Sequence, residues 1–291
     1  MFKILLRFSR PIILLFAAMT YTLGAGIAQY LRQVVRAGAF GLGLLCVLTL
    51  LEAAFLFSEY FRLPLMPLAK DETPEQREHF RVVLLQISYA ALTLALVAIL
   101  TLQLNNLLNL PTDILLALAF LILLAYSVPP LRLSESGFGE LVVAIALGTL
   151  FPAVAFILQY GQLQRLLSIT SLPLTLLALA FLLVCNFPTF ATDHKLGRHT
   201  LLTRLTWQKA VPIHHLLVLI AFLLLAAAPF IGTPWGLVWP AFLALPFAAT
   251  QMIWLQSIAN GGRTFWNFLT GLASATFGLT VYLLALTFWI R

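Results

Sequence analysis

Residues 186–201 read NFPTFATDHKLGRHTL and set Asp193, Lys195 and Arg198, with His194 and His199, between two long apolar runs. Two carboxylates four residues apart on one helix face could share a hard metal ion such as Mg²⁺, which takes oxygen ligands. This passage holds one carboxylate where that spacing would want two. A second polar site, SEYFRLPLM (58–66), offers Glu59 followed three residues later by Arg62. A third, AYSVPPLRLSESGFGE (125–140), gathers Tyr126, Ser127 and Arg132 around a diproline. Pro129 and Pro130 stop a helix there, and Gly137 and Gly139 permit a tight return. Broken backbone at membrane depth is tolerated only inside protein or against a wet cavity, so a cavity is expected beside these residues.

The elements that must position them are membrane helices. The 291 residues are 62% hydrophobic and 9% charged, against about 25% charged in a soluble domain. A hydrocarbon layer about 30 Å thick needs roughly 20 apolar residues per helical crossing. Runs of that kind fall at 11–31, 39–61, 82–104, 113–130, 139–160, 169–188, 211–232, 235–256 and 266–290. The short alternating segments of a β-barrel are absent. The expectation is an all-α, polytopic integral membrane protein of about nine transmembrane helices, a single helical domain over 1–291 with polar loops at 62–81, 131–138 and 189–210.

Charge sets the expected orientation. Most of the 17 Lys and Arg fall on one side of this scheme, and only Arg32, Arg36, Arg165 and Arg291 on the other. Cytoplasmic loops retain basic residues, so the N-terminus is expected inside and the C-terminus outside, in an inner or cytoplasmic membrane. The net charge of +7 is then a topology signal, and no nucleic-acid partner is expected. The first span, after Lys3 and Arg7, is too long for a signal-peptide core and is read as a true helix. Nearly all acids share the basic side, which places function there. In KDETPEQREHFRVVLL (70–85), Thr73, Pro74 and Gln76 form a capping box at a helix start, and Glu75 and Glu78 suit its first turns. Cys46 and Cys185 read as core packing. His214 and His215, after Pro212, read as interfacial.

Three segments carry a resemblance. YSVPPLRLSESGFGELVVAIALGTLFP (126–152) resembles the tyrosine–serine–diproline segment of the UbiA superfamily of intramembrane prenyltransferases. SRPIILLFAAMTYTLGAGIA (9–28) looks like that family's opening, with Arg10-Pro11 heading the first helix. NFPTFATDHKLGRHTLLTRL (186–205) is similar to its second acidic motif, N-x-x-D-x-x-x-D running into G-K-R-T-L. The resemblance covers essentially the whole chain and implies a nine-helix UbiA-like bundle. It also implies the family's chemistry: Mg²⁺ holds the diphosphate of an allylic polyprenyl diphosphate while a carbocation forms and an acceptor attacks.

The departures are as informative as the matches. In the second motif Asn186 and Asp193 match, but Thr189 stands where the first aspartate belongs. In the first motif Ser58, Glu59, Arg62 and Met66 align, and only Glu59 is an acid. The resemblance implies Glu59, Asn186 and Asp193 as Mg²⁺ ligands, and Arg62, Arg132, Lys195, Arg198 and Lys70 as the diphosphate grip. Tyr126, with Asp193 and Glu59, would be catalytic. One expectation is a prenyltransferase with a remodelled metal site, moving a prenyl group to an aromatic or quinone-precursor acceptor. The other is an inactive relative that binds a quinone, isoprenoid or lipid within the bilayer and serves a membrane complex. A transporter reading rests on Glu52 alone within a span.

Overall fold

The computed structural model describes residues 8–31, 34–61 and 73–291. Arg62, Met66, Lys70, Asp71 and Glu72 lie outside the described residues, so the roles expected of Arg62 and Lys70 go with them. Among the described residues, nine helical segments are long and apolar enough to cross a membrane. They are α1 (Pro11–Tyr30), α2 (Ala37–Tyr60), α3 (Pro74–Leu104), α4 (Leu110–Ser127), α5 (Gly139–Tyr160), α6 (Arg165–Asn186), α8 (Leu201–Ile231), α9 (Trp235–Ala259) and α10 (Trp266–Ile290). A 3-10 turn, Phe187–Thr189, carries α6 into the short helix α7 (Phe190–Lys195).

Helices run past the apolar stretches that announce them, because the hydrogen-bond ladder continues through polar residues. α3 starts at Pro74 with the expected box, Thr73 Oγ1 accepting from the Gln76 amide and the Gln76 side chain accepting from the Thr73 amide. The loop expected at 189–210 is largely helical instead: α7 occupies its first part, and Thr200 caps α8 with Thr203 as the reciprocal partner. The expected stop at the diproline holds, α4 ending at Ser127.

α1 packs on the second half of α5 and on α10, α2 on α3, and α6 on α8 and on the first half of α5. Two glycines make the tightest crossings possible. A Cβ on Gly24 of α1 would run into the Pro152 carbonyl of α5, and one on Gly148 into the Thr175 backbone of α6. Beside Gly148 the helix opens into a π-helical turn, Ala146–Leu150, and the Thr149 and Thr175 hydroxyls meet at 2.8 Å. One core joins these helices, with Phe16 edge-on to Phe181 and Phe277.

Two polar residues inside spans find structural partners. Ser9 donates to Glu52 Oε1 at 2.5 Å, so Glu52 ties the start of α1 to α2. His214 is wholly buried within the protein: its Nε2 lies 2.7 Å from Gln251 Nε2 on α9 and its Nδ1 3.1 Å from His215 Nδ1. The apolar run around it hid that partner, which lies 37 residues away.

Candidate functional site

The diproline break and the α6–α7 bend close on each other at one end of the bundle. After the break, Arg132 turns back with φ 39° and ψ 54°, and Gly137 with φ 81°. Ser136 then pairs with His199 as an isolated bridge, and the Arg204 guanidinium lies 4.6 Å over the Phe138 ring. Thr206 interrupts α8 with φ 64°, and Trp207 packs edge-on against Phe187 at 4.6 Å, backing α7.

Between these segments and α1 lies a cavity of about 660 Å³, within the ordinary size of a ligand pocket. Ile12, Ile13, Val143, Phe181 and Leu182 make its apolar walls. Arg10, Tyr126, Ser134, Glu140, Asn186, Thr189 and Arg198 make its polar end, and Asn267, Thr270 and Ser274 of α10 line another side. Two other hollows of similar size, beside Trp254 and beside His215, are lined by no carboxylate, lysine or arginine.

Asp193 and Glu59 are both buried, at 5% and 8% exposure. A buried carboxylate needs compensation, and each takes an arginine. Thr189, one turn before Asp193, donates to Asp193 Oδ2 at 2.7 Å, and Arg198 reaches Oδ1 at 3.5 Å. Glu59, in the last turn of α2, lies 3.5 Å from Arg10 Nη2. Arg10 also donates to the Tyr126 hydroxyl at 3.2 Å and stands 4.9 Å over the Phe55 ring. The Tyr126 oxygen, and after it Glu59, hold the Arg10 guanidinium above its ordinary pKa against the cost of burial. Arg10 is therefore a fixed cation. It adopts φ 48° and ψ 62° just before Pro11, a left-handed conformation costing about 1–2 kcal/mol for a residue with a Cβ. Strain of this kind gathers at functional sites.

The expected site residues divide in three. Tyr126, Asn186 and Arg198 line the cavity, and Asp193 and Glu59 each contact one of its arginines. Arg132 does not line it: its guanidinium pairs with Glu135 at 2.8 Å and donates to the Phe61 carbonyl, fastening the break to the end of α2. Lys195 is exposed on α7 and is absent from the lining. Two charged residues of the lining, Arg10 and Glu140, carry no site role expected from the sequence. In the sequence Arg10 stands out only as the head of the first helix. Glu140 was counted only as one acid of the basic side, although it accepts from Asn186 Nδ2 and from the Leu201 amide at 3.2 Å, pinning α5 to α6 and α8.

These contacts test the Mg²⁺ set. Among the described residues no three His, Cys, Asp or Glu stand together as a metal group. Both Asp193 oxygens accept from protein donors, Glu59 faces Arg10, and Asn186 donates its Nδ2 to Glu140. Mg²⁺ needs oxygen ligands in near-octahedral array, and a guanidinium 3.5 Å from each carboxylate opposes it. Among the described residues, Glu59, Asn186 and Asp193 do not by themselves make up a Mg²⁺ site.

The fold has known counterparts. It is similar to a UbiA homolog from Archaeoglobus fulgidus bound to GPP and Mg²⁺, with TM-score 0.61 and 16% identity over 97% of this chain and 99% of that one. It is similar to a digeranylgeranylglyceryl phosphate synthase, with TM-score 0.57 and 15% identity over 99% of this chain and 97% of that one. An apo UbiA homolog from Aeropyrum pernix K1 gives 0.55 and 14% over 92% and 94%. At such identities the likeness establishes the fold. No curated protein matches the chain. The model of the UbiA prenyltransferase family matches residues 81–272, about two thirds of the chain, and this protein therefore belongs to the UbiA prenyltransferase family.

Proposed function

We propose that this protein binds the prenyl chain of an isoprenoid in the cavity between α1, α5, α6 and α10, and that it does so without a Mg²⁺ clamp. The observation that carries the reading is the pairing of both surviving motif carboxylates with arginines, Glu59 with Arg10 and Asp193 with Arg198. Ile13, Val143, Phe181 and Leu182 supply an apolar lane for a hydrocarbon tail. Arg10, Tyr126 and Asn186 receive the head. On the positive-inside bias of the loops, that head end faces the cytoplasm.

The test is direct. Purified protein in lipid nanodiscs is mixed with Mg²⁺, prenyl diphosphates of several lengths and a set of aromatic acceptors, and diphosphate release is followed. The expected result is no release above the protein-free rate. In parallel, a photoreactive farnesol analogue is expected to label α1 or α6. Release with any pair, or no labelling, overturns the proposal.

A second reading, prenyl transfer itself, is favoured by membership of a prenyltransferase family. In that reading Tyr126, buried and lining the cavity, shelters the developing allylic cation. It requires metal ligands beyond the described residues, and diphosphate release in the same assay would establish it.

A further inference from the structure

Outside the central cavity, the corner where α9 turns into α10 encloses a second hollow of about 680 Å³. Trp254 of α9 and the run Thr264, Phe265, Trp266, Asn267 and Phe268 line it. Its back wall is anchored. The Trp266 ring lies 6.0 Å from that of Trp207, which rests in turn on Phe187 and Phe190. Its front is open, with the Phe265 and Phe268 rings exposed. Asn267 also lines the central cavity, so the hollow shares the end of the bundle that holds the cavity's polar residues.

Donors of three kinds meet there. Arg263 is exposed immediately before Thr264 and enters no ion pair among the described residues. The start of α10 has no side-chain cap, and the amides of Trp266, Asn267 and Phe268, all residues of the lining, have no partner within the helix. They carry the positive end of its dipole. Trp254 Nε1 is buried without a hydrogen-bond partner. A tryptophan that only belongs to an interfacial belt keeps its polar tip wet, and this one does not. The Phe265 and Phe268 rings lean on the Trp254 ring, 6.2 and 5.1 Å away. Exposed side chains turn within nanoseconds, which lets an oxygen in the hollow reach the indole N–H.

Depth puts these donors in order. Trp254 lies five residues before the end of α9 at Ala259, about 8 Å of helix rise further into the bilayer, while Arg263 stands in the loop. A phosphate outermost, then ester carbonyls, then acyl chains is the order of groups along a glycerophospholipid. On the positive-inside bias of the loops this end meets the cytoplasmic leaflet, which carries anionic lipid.

We propose that the α9–α10 corner binds one anionic glycerophospholipid. Arg263 and the first amides of α10 hold its phosphate, Trp254 Nε1 holds an ester carbonyl, and the chains lie along Phe265 and Phe268. The site is separate from the prenyl cavity and does not depend on what that cavity holds.

The experiment is native mass spectrometry of the full chain in detergent, titrated with dioleoylphosphatidylglycerol or dioleoylphosphatidylcholine, which share their chains and differ in head-group charge. The first lipid bound is expected to favour phosphatidylglycerol about fivefold. Arg263→Gln is expected to bring the two lipids within about twofold of each other. Trp254→Phe keeps the ring wall and removes the N–H, and is expected to weaken both lipids about fivefold while leaving their ratio alone. Glycerol phosphate, which has no chains, is expected to leave the bound lipid in place at equal concentration. Phosphatidylcholine binding as tightly or more tightly would make the rings a belt or a cage for the choline cation, and the proposal falls. A preference that survives Arg263→Gln puts the anion elsewhere on the chain and overturns it. So does an affinity unmoved in Trp254→Phe, or displacement by glycerol phosphate as readily as by phosphatidylglycerol, which would leave a simple anion site.

Discussion

The two arginine–carboxylate pairs face one cavity, yet they are built in opposite ways. Asp193 is served by its own neighbourhood. Thr189 lies one turn earlier and Arg198 five residues later, where the chain leaves α7 and its amide returns to the Asp193 carbonyl at 2.8 Å. Glu59 depends on Arg10, which arrives from the start of another helix in a strained left-handed conformation and is steadied by Tyr126 of a third. The first pair is a property of one segment. The second exists only once α1, α2 and α4 have assembled, so it reports on the packing of the whole head end.

That difference predicts unequal consequences when each arginine is removed. Arg10→Ala takes one partner from a buried carboxylate, the donor from Tyr126 and the cation from the face of Phe55. Breaking a buried pair from one side costs about 3–5 kcal/mol. Arg10 keeps 29% of its side chain exposed, so water returns part of this and a loss of about 2–3 kcal/mol is expected. Unfolding in mild detergent measures it. Arg10→Ala,Glu59→Gln is expected to recover most of the loss, because the buried charge that Arg10 faced is then gone. If the double variant is no more stable than the single, the two residues do not act as a pair.

How much of this was legible in the sequence follows the same division. The nine spans were, since long apolar runs have no other use, and so was the Thr73–Gln76 cap, which is local. Helix ends were not: apolar windows began at 82 and 211, whereas the helices begin at Pro74 and Leu201. By its place in the motif Thr189 reads as a missing ligand, and in the structure it donates to the Asp193 carboxylate. Arg10 and Glu140 were overlooked because their partners lie far off in sequence, Glu59 for the one, Asn186 and Leu201 for the other. A signal did exist. An arginine set directly against the first proline of a span, in a chain with 9% charged residues, must be compensated somewhere in the assembled bundle.

Arg198→Ala is expected to cost less, about 1 kcal/mol. Its contact is long at 3.5 Å, the guanidinium is partly exposed, and Asp193 keeps the Thr189 hydroxyl. The loss is expected to stay within the α6–α7 corner. Hydrogen exchange should speed up in Phe190–Lys195 and leave α2 as it was. Exchange spreading to α2 would mean the two pairs are one network, and the contrast between them would dissolve.

A substitution in the same corner tests the lost metal directly. Thr189→Asp restores a carboxylate one turn before Asp193, on the same helix face. Without metal, two like charges at that spacing cost about 0.3–0.5 kcal/mol, added to the loss of the 2.7 Å bond from Thr189. With Mg²⁺ the sign should reverse. A binding site on the folded state alone stabilises by about 1.4 kcal/mol when the ion is at about ten times its Kd, so the variant's melting temperature should climb with Mg²⁺ while that of the native chain stays level. A native chain that already responds to Mg²⁺ would mean that the arginines yield their carboxylates to the ion, and that the locked head end is a resting state of a metal site. A variant that does not respond would mean that Arg198, still 3.5 Å from Asp193, is enough to keep the ion away, which Thr189→Asp combined with Arg198→Ala would then release.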